Sequence, residues 1–234
     1  MRDSQQHLTN EWPAHAAAPN THNRVLELVR QYFPSLDGVR VCDLPCGAGA
    51  FSRRLAELGA DIVPVDIAAV EPFLADPARR LLADANQRLP FDDGTFDLFV
   101  TIEGIEHLEN PSYFLRECAR VIKPGGRIIL STPNVDSMRS RRYAFGYGFY
   151  RFFEPVSDTD KDSGHLHPID MVFFKGAIRR AGLEIVECTV NLLQKTWLSE
   201  RLRPLLVKKL PADMRGEVPF YGDVIIYVLK KGTS

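Results

Sequence analysis

The chain has 234 residues, of which 45% are hydrophobic and 25% are charged, and its formal net charge is −1. This size and composition predict an ordinary globular protein with one α/β domain and modest insertions. The balanced charge argues against binding that depends on non-specific attraction to nucleic acid, and no apolar run approaches the length of a membrane span.

The cysteines and the N-terminal residues bear on the cellular compartment of the protein and on the extent of its domain. The four cysteines are scattered and include no C-x-x-C pair: Cys42, Cys46, Cys118 and Cys188. They predict reduced thiols rather than a disulfide framework or a zinc site, and so a cytoplasmic protein. Residues 1–20 are polar and lack the apolar core of a signal peptide. We predict that they form a mobile arm, and that residues 21–234 form the domain.

Strand and helix patterns alternate along the rest of the chain. The predicted helices are Thr21–Phe33, capped by Thr21 itself, then Ala50–Leu58, Pro111–Val121 and about Ile169–Ala181. The predicted strands are Arg40–Leu44, Asp61–Asp66, Arg80–Ala83, Phe96–Glu103, Arg127–Thr132, Leu183–Val190 and Asp223–Lys230. Residues 123–126, Lys-Pro-Gly-Gly, predict a tight turn before the fifth strand. This alternation is typical of a largely parallel sheet with helices on both faces.

A glycine turn between the first strand and the second helix predicts a nucleotide-cofactor site. The strand ends at Asp43, the turn contains Gly47 and Gly49, and the second strand ends on a carboxylate, Asp66. A carboxylate at Asp43 repels phosphate but tolerates or attracts a cationic ligand. Ser52 also stands where a dinucleotide-binding turn has its third glycine. These two features favour S-adenosylmethionine, which carries no phosphate, over NAD.

From about Val41 to Asn134 the chain resembles the class I S-adenosylmethionine-dependent methyltransferases. The resemblance implies a Rossmann-like doubly wound α/β fold with seven strands in the order 3-2-1-4-5-7-6, the last strand antiparallel. Pro45 departs from the family pattern, because it replaces the first glycine of the usual turn and removes a backbone donor. This departure leaves open a protein that binds S-adenosylmethionine without catalysis.

The resemblance also implies a set of cofactor-binding residues. Asp66 would accept hydrogen bonds from the ribose hydroxyls, although an ordinary surface acid at a strand end is the alternative. Asp84 would accept from the adenine amino group while the Ala85 N–H meets the ring, and the glycines would allow the methionyl part to approach the backbone. The complete predicted set is Asp43, Pro45, Cys46, Gly47, Gly49, Asp66, Ile67, Asp84, Ala85 and Glu103.

A second motif, E-x-x-E-H, follows the fourth strand and predicts the catalytic residues Glu103, Glu106 and His107. With the later Ser-Thr-Pro-Asn at 131–134, it resembles two groups of methyltransferases that use a divalent metal. One comprises the ubiquinone-biosynthesis catechol O-methyltransferases, and the other the small-RNA 3′-terminal 2′-O-methyltransferases. The resemblance implies a site for Mg²⁺ or another divalent metal, whose ligands are Glu103, Glu106, His107 and His165.

The metal reading has an alternative that remains open. Many members of the superfamily carry Glu-His-Leu here without a metal, so Glu103 could contact the cofactor and His107 could cap a helix or act as a base. The fourth ligand could also be His167, but His165 and His167 alternate and would face opposite sides of an extended segment.

Two segments exceed the minimal fold. Residues 137–164 combine aromatic residues with arginines and predict an acceptor lid, which could stack bases, line an aromatic pocket, lie on a membrane, or simply pack on the sheet. Residues of about 192–221 contain an amphipathic stretch interrupted by Pro204, which would suit an anionic lipid surface or cover a core.

These features together favour an enzyme that O-methylates a small or lipid-linked metabolite, such as a quinol, a phenol or a sugar. Three alternatives stay open: an RNA 2′-O-methyltransferase, a non-catalytic S-adenosylmethionine-binding subunit, and an NAD-dependent oxidoreductase. We expect cytoplasmic localisation, with peripheral membrane contact as an option. The pattern does not indicate an oligomeric state.

Overall fold

The computed structural model describes residues 18–155, 164–192 and 221–232. Its helices are α1 (Thr21–Tyr32), α2 (Ala50–Glu57), α3 (Pro111–Val121), α4 (Met138–Tyr147) and α5 (Met171–Arg180). Its strands are β1 (Arg40–Asp43), β2 (Asp61–Asp66), β3 (Leu81–Leu82), β4 (Phe96–Ile102), β5 (Ile122–Pro133), β6 (Leu183–Val190) and β7 (Val224–Lys231). All the predicted helices and strands are present, and α4 is an additional helix inside the predicted lid.

The seven strands form one sheet in the order β3-β2-β1-β4-β5-β7-β6. Strands β1 to β5 pair in parallel, whereas β7 runs antiparallel to both β5 and β6. The predicted fold class, strand order and antiparallel last strand are therefore confirmed.

Hydrophobic side chains cover both faces of this sheet. On β1, Val41 belongs to the core cluster on one face and Cys42 to the cluster on the other, and Leu98 and Phe99 of β4 divide in the same way. Each of these four side chains is completely buried. Burial of a side chain of the size of Leu or Phe contributes about 1.5–3 kcal/mol, so the two clusters hold the central strands firmly and fix where they end.

The predicted turn at residues 123–126 proves to be an irregularity inside β5. The strand already begins at Ile122, which pairs with Phe96, and the next pairing is Arg127 with Leu98. Gly125 has a φ of 80° and allows the chain to bulge outward between the two pairings. The sequence shows the glycines but not that Ile122 pairs with β4 before the bulge.

Side chains begin three of the helices. Asn110 accepts from the Tyr113 N–H (2.9 Å), Ser137 from the Ser140 N–H (3.1 Å) and Asp170 from the Phe173 N–H (2.8 Å). The prediction that Thr21 caps α1 is wrong, because α1 begins at Thr21 itself and follows Asn20, whose φ is 67°. The Thr21 hydroxyl has a different partner near the sheet edge, as described below.

Two predicted segments are only partly described. Residues 18–20 of the predicted arm lie within the structure, and the amphipathic segment of about 192–221 lies outside the described residues except at its two ends. Within the described ranges, no helix is both long and apolar enough to cross a membrane.

Candidate functional site

The carboxyl ends of β1, β2, β4 and β5 bring the predicted site residues to one edge of the sheet. Asp43 ends β1, Asp66 ends β2, and Glu103 directly follows β4. In an open parallel sheet this edge, at the point where the strand order reverses, is where ligands bind. The structure therefore places the two predicted groups of residues, the glycine turn and the E-x-x-E-H motif, side by side.

The glycine turn is tied to the end of β2. Gly47 and Gly49 have φ values of 51° and 76°, and the Asp66 carboxylate accepts from the Gly47 N–H at 2.8 Å. Its other oxygen accepts from the Ala68 N–H at 3.3 Å. Asp66 is thereby held in one orientation at the mouth of the turn, and Ile67 beside it is 68% exposed.

Asp43 lies beneath the turn rather than at its surface. The residue is 1% exposed, and its carboxylate accepts a hydrogen bond of 2.5 Å from the Ser52 hydroxyl. Burial raises the pKa of Asp43 to about 7; the Ser52 hydrogen bond opposes that rise, and the nearby Asp66 charge adds to it. The serine that distinguishes this turn from a dinucleotide-binding one therefore pairs with the acid that ends β1, which sequence reasoning missed.

An aromatic residue covers the turn from the loop after β2. A Cβ added to Gly49 would lie 2.8 Å from the ring of Phe73, and the Leu74 N–H donates to the Ala48 carbonyl at 2.8 Å. The Arg80 guanidinium also lies over the Phe73 ring, 4.6 Å from its centroid. This contact has no signal in the sequence, because the loop of residues 67–80 carries no periodic pattern.

Asp84 and Ala85 form a separate turn after β3. Asp84 accepts from the Asn86 N–H at 2.8 Å, and Ala85 is largely buried. Asn86 in turn accepts from the Glu109 N–H at 2.8 Å, close to the E-x-x-E-H motif. Cys46 is also largely buried, and burial raises the pKa of its thiol.

Pro45, the departure from the family pattern, packs against Gly104. A Cβ on Gly104 would lie 2.3 Å from Pro45 Cδ and 3.1 Å from the Thr101 hydroxyl oxygen. Such distances are shorter than packed side chains tolerate, so a proline at 45 requires a glycine at 104. The two motifs that were recognised separately in the sequence are thus in direct contact.

Glu103 faces the beginning of α1 instead of joining the other acid of its motif. Its φ is 48°, and its carboxylate accepts from the Ala18 N–H at 3.1 Å and from the Thr21 hydroxyl at 3.4 Å. Burial raises its pKa, and these two hydrogen bonds partly oppose the rise. The Glu103 carboxylate therefore anchors the root of the predicted N-terminal arm beside the cofactor turn.

His22, one residue further along α1, is a site neighbour that sequence reasoning missed. Its ring packs against that of Phe51 in α2, with the centroids 5.2 Å apart. Burial lowers its pKa to about 4, with a smaller contribution from the nearby Arg54 charge. A half-buried neutral imidazole at this place helps to join α1 to the helix that follows the glycine turn.

A compact group of three side chains follows the contact between Gly104 and the glycine turn: Glu106, His107 and His165. One potential ligand atom from each side chain lies within 4.8 Å of those of the other two. The Leu166 and His167 N–H groups both donate to the Glu106 carbonyl, at 2.8 and 3.0 Å, which docks the segment carrying His165. His167 is exposed and lies outside the group. Glu103 also lies outside it, although the sequence analysis placed it among the ligands.

Glu106 is fully buried and only half satisfied. One carboxylate oxygen accepts from the Thr132 hydroxyl at 3.0 Å, while Oε1 has no hydrogen-bond partner among the described residues. Burial raises the pKa of Glu106 to about 8, and the Glu103 charge adds to that rise. A buried carboxylate oxygen without a partner, next to two imidazoles, fits a divalent metal. A donor set with two imidazoles suits Mn²⁺, Fe²⁺ or Zn²⁺ better than Mg²⁺.

The predicted lid is pinned to the sheet by ion pairs. Arg139 and Arg151 both pair with Asp223, the residue before β7, and Arg141 pairs with Asp136 at 2.7 Å. These carboxylates neutralise much of the charge that could have attracted nucleic acid or anionic lipid. The aromatic residues of this segment differ in their packing. Phe145 on α4 is 94% exposed, whereas the Phe153 ring packs against the His165 ring, with the centroids 5.2 Å apart.

The middle of the chain matches a family model described as a methyltransferase domain, over residues 42–130. A ubiquinone biosynthesis O-methyltransferase of Xanthomonas oryzae pv. oryzae is 33% identical over 142 residues, which cover 54% of this chain and 58% of that protein. A protein of the same name from Xanthomonas campestris pv. campestris is 32% identical over 146 residues. The match thus spans little more than half the length of these curated relatives.

Solved structures share the fold over nearly the whole chain. An S-adenosylmethionine-dependent methyltransferase from Mesorhizobium loti superposes with a TM-score of 0.55 and 19% identity, covering 87% of this chain and 95% of the other. One from Archaeoglobus fulgidus has a TM-score of 0.57 and 21% identity, with coverages of 90% and 95%. At these identities the likeness concerns the fold.

Proposed function

We propose that the chain is a class I S-adenosylmethionine-dependent methyltransferase, a proposal that its similarity to a methyltransferase domain model and to curated O-methyltransferases supports. It transfers the methyl group of S-adenosylmethionine to a hydroxyl oxygen of a small or lipid-linked metabolite. The observation that carries the choice of oxygen is the group of Glu106, His107 and His165, which follows directly on the contact of Gly104 with Pro45 of the glycine turn. A hydroxyl is a weak nucleophile at neutral pH and needs help with its proton, which these side chains can give.

The cofactor would lie over the glycine turn. Its ribose hydroxyls would meet Asp66, which already ends β2 with its carboxylate oriented by the Gly47 and Ala68 N–H groups. Asp84 and Ala85 would meet the adenine from the turn after β3. Phe73, packed over Gly49, would shield the sulfonium end from water. Excluding water here matters, because the reaction depends on holding two reactants in line.

In the transfer itself the acceptor oxygen forms a bond to the methyl carbon while the bond from carbon to sulfur breaks. The products are the methyl ether and neutral S-adenosylhomocysteine, and the hydroxyl proton must leave. In the absence of a metal, Glu106 and the two histidines are the groups available to take it. The pKa of Glu106, raised by burial to about 8, lies close to neutral pH and suits a group that exchanges a proton.

Alternatively, the same three residues would hold a divalent metal, which would occupy their lone pairs, and the hydroxyl proton would then leave to solvent. Such an ion would supply a positive charge that lowers the pKa of the acceptor hydroxyl. Glu106 Oε1, buried and without a hydrogen-bond partner in the described structure, supports this part of the proposal. Glu103 is not needed for it, because its carboxylate serves the beginning of α1.

We propose a catechol as the first acceptor to test, and the names of the curated relatives, ubiquinone biosynthesis O-methyltransferases, support this choice. An RNA acceptor is less well supported, since Asp136 and Asp223 form ion pairs with three of the lid arginines. Contact with a membrane belongs to the same proposal as a route to a lipid-linked acceptor. The segment that would make it, about 192–221, is mostly outside the described residues, so vesicle flotation of the full chain would test it.

The decisive experiment measures transfer of labelled methyl from S-adenosylmethionine by the purified full chain. The acceptors are a catechol, a prenylated catechol and a short RNA with a free 3′-terminal ribose, each with Mn²⁺, Mg²⁺ or a chelator. Label in a catechol, abolished by the chelator, supports the proposal. Label in RNA overturns the choice of acceptor, and binding of S-adenosylhomocysteine without transfer to any acceptor favours a non-catalytic subunit.

Two neighbouring histidines provide a matched pair of variants. His165→Gln removes one member of the group, whereas His167→Gln changes an exposed residue two positions away. We expect the first to lower the transfer rate by roughly 10²- to 10⁴-fold, the usual size of acid–base help, and the second to leave it unchanged. Equal effects of the two substitutions would remove the group from the mechanism.

A further inference from the structure

Each histidine of the group gives one ring nitrogen to a backbone carbonyl. His107 Nδ1 lies 2.9 Å from the Gly164 carbonyl oxygen, and His165 Nδ1 lies 2.7 Å from that of Phe152. A carbonyl oxygen only accepts hydrogen bonds, so each Nδ1 must carry the proton. In a neutral imidazole the lone pair then resides on Nε2, which is the nitrogen able to bind a metal or take a proton.

The two residues that supply these carbonyls share an uncommon backbone conformation. Phe152 has a φ of 72° and Gly164 a φ of 70°, both in the left-handed region. For phenylalanine this region is disfavoured, so the surroundings must hold it there. In an ordinary extended or right-handed conformation the carbonyl would point in another direction.

Contacts on both sides hold Phe152 in this conformation. The Arg151 guanidinium stacks over the Phe152 ring at 4.4 Å and also pairs with Asp223. The Arg151 N–H donates to the Ser140 hydroxyl at 3.3 Å, which ties the turn to α4. These contacts tie the turn to α4 and to the residue that precedes β7, and they fix the direction of the Phe152 carbonyl.

Gly164 is restricted for a second reason. A Cβ at this position would lie 3.2 Å from His107 Nδ1, so a larger residue would push against the ring that its own carbonyl orients. The histidine rings also touch each other, edge to face, with centroids 4.7 Å apart. A displacement at either carbonyl would therefore reach both imidazoles.

We infer that Phe152 and Gly164 are positioning residues, whose left-handed backbone carbonyls fix His165 and His107 as Nδ1–H tautomers, so that the lone pair of each neutral ring lies on Nε2. The inference rests on the proposed function for its catalytic meaning, but its structural content is independent of the acceptor and of any metal. Backbone partners of this kind typically change metal affinity by roughly 10- to 100-fold.

The test reads the tautomers directly. Two-bond proton–nitrogen correlation spectra of the metal-free full chain, labelled with ¹⁵N-histidine, distinguish Nδ1–H from Nε2–H rings. They are recorded about two pH units above the ordinary histidine pKa of ~6.5, where imidazoles are neutral. The spectra of His107→Gln and His165→Gln assign the two signals. We expect Nδ1–H for both rings in the unsubstituted chain, and an Nε2–H ring at either position would overturn the assignment for that histidine.

Matched substitutions at residue 152 separate the backbone from the side chain. Phe152→Gly removes the ring but permits the left-handed conformation, whereas Phe152→Val keeps an apolar side chain and disfavours it. We expect the glycine variant to retain the single His165 tautomer and the valine variant to lose it. Gly164→Ala is expected to do the same to His107. Unchanged tautomers in Phe152→Val and Gly164→Ala, in chains whose amide spectra stay folded, would refute the inference.

A calorimetric titration of each variant with Mn²⁺ separates this inference from the proposed function. An affinity for Mn²⁺ that is roughly 10- to 100-fold weaker in Phe152→Val, and little changed in Phe152→Gly, supports the positioning role. Nδ1–H tautomers in a chain that binds no Mn²⁺ would remove the metal from the proposed function while leaving the positioning role supported.

Discussion

Replacing Asp43 with asparagine tests how the buried acid beneath the cofactor turn affects stability. Burial raises the pKa of Asp43 from 3.8 to about 7. The folded protein therefore keeps this proton over a pH range in which the unfolded chain has lost it. The contribution is fully present below pH 3.8 and is lost as the pH rises to about 7.

The size of the effect follows from the shift. A difference of about three pKa units corresponds to about 4 kcal/mol, at 1.36 kcal/mol per unit. Between about pH 5 and pH 8 the unsubstituted chain should therefore lose about 3 kcal/mol of unfolding free energy from this group. Asp43→Asn cannot ionise and should not show that loss, and its amide oxygen can still accept from the Ser52 hydroxyl.

The assay is urea unfolding at several pH values within this window, with the slope of unfolding free energy against pH compared between variants. Asp92→Asn serves as the control, because it removes the same charge from an exposed turn. We expect the difference between Asp43→Asn and the unsubstituted chain to grow with pH up to about pH 7. Parallel curves for the two proteins would refute the reasoning, since they would mean that Asp43 ionises equally easily in both states.

Three further substitutions test the contacts around the site. Gly104→Ala should lower the unfolding free energy by about 1–3 kcal/mol, because its Cβ would lie 2.3 Å from Pro45 Cδ. Adding Pro45→Gly should restore part of this free energy, as measured by urea unfolding. Full additivity of the two substitutions would contradict the contact. Glu103→Ala should speed amide exchange in the first turn of α1, whereas Glu103→Gln keeps an acceptor there; equal exchange in both would exclude the anchoring role. Gly49→Ala should cost about 1–2 kcal/mol, since its φ is 76° and its Cβ would meet the Phe73 ring; thermal unfolding measures it, and an unchanged melting temperature would contradict the strain.

Much of the fold follows from local patterns in the sequence. The strands that form the centre of the sheet are short apolar runs, and a completely buried parallel strand has no other composition available to it. The glycines and the acid of the cofactor turn are likewise local, because a close approach of backbone to ligand needs glycine whatever lies elsewhere. The strand order came from the family resemblance, and the structure confirms it.

The helix α4 shows where local pattern fails. Its sequence contains a glycine among arginines and aromatic residues, with no apolar face that would indicate a helix. The helix is held instead by the Ser137 cap and by the ion pair of Arg139 with Asp223, a residue 84 positions away. The arginines that suggested nucleic acid or lipid in the sequence thus serve the tertiary structure.

The sequence likewise predicts only part of the arrangement of the E-x-x-E-H motif. Its spacing indicates two acids and a histidine near one strand end, but not that a φ of 48° turns Glu103 toward α1 while Glu106 is buried against Thr132. Spacing also cannot choose between His165 and His167. The structure brings His165 to Glu106 through backbone hydrogen bonds to the Glu106 carbonyl.

The sequence by itself determined the elements, the cofactor turn and the kinds of side chain that meet at the sheet edge, because these depend on residues close together in the chain. Only the tertiary structure decided which acid is buried, which histidine joins it, and which carbonyl orients each ring. Those outcomes depend on contacts between residues far apart in sequence, such as Ser52 with Asp43 and Phe152 with His165, and on the burial that the whole sheet imposes on them.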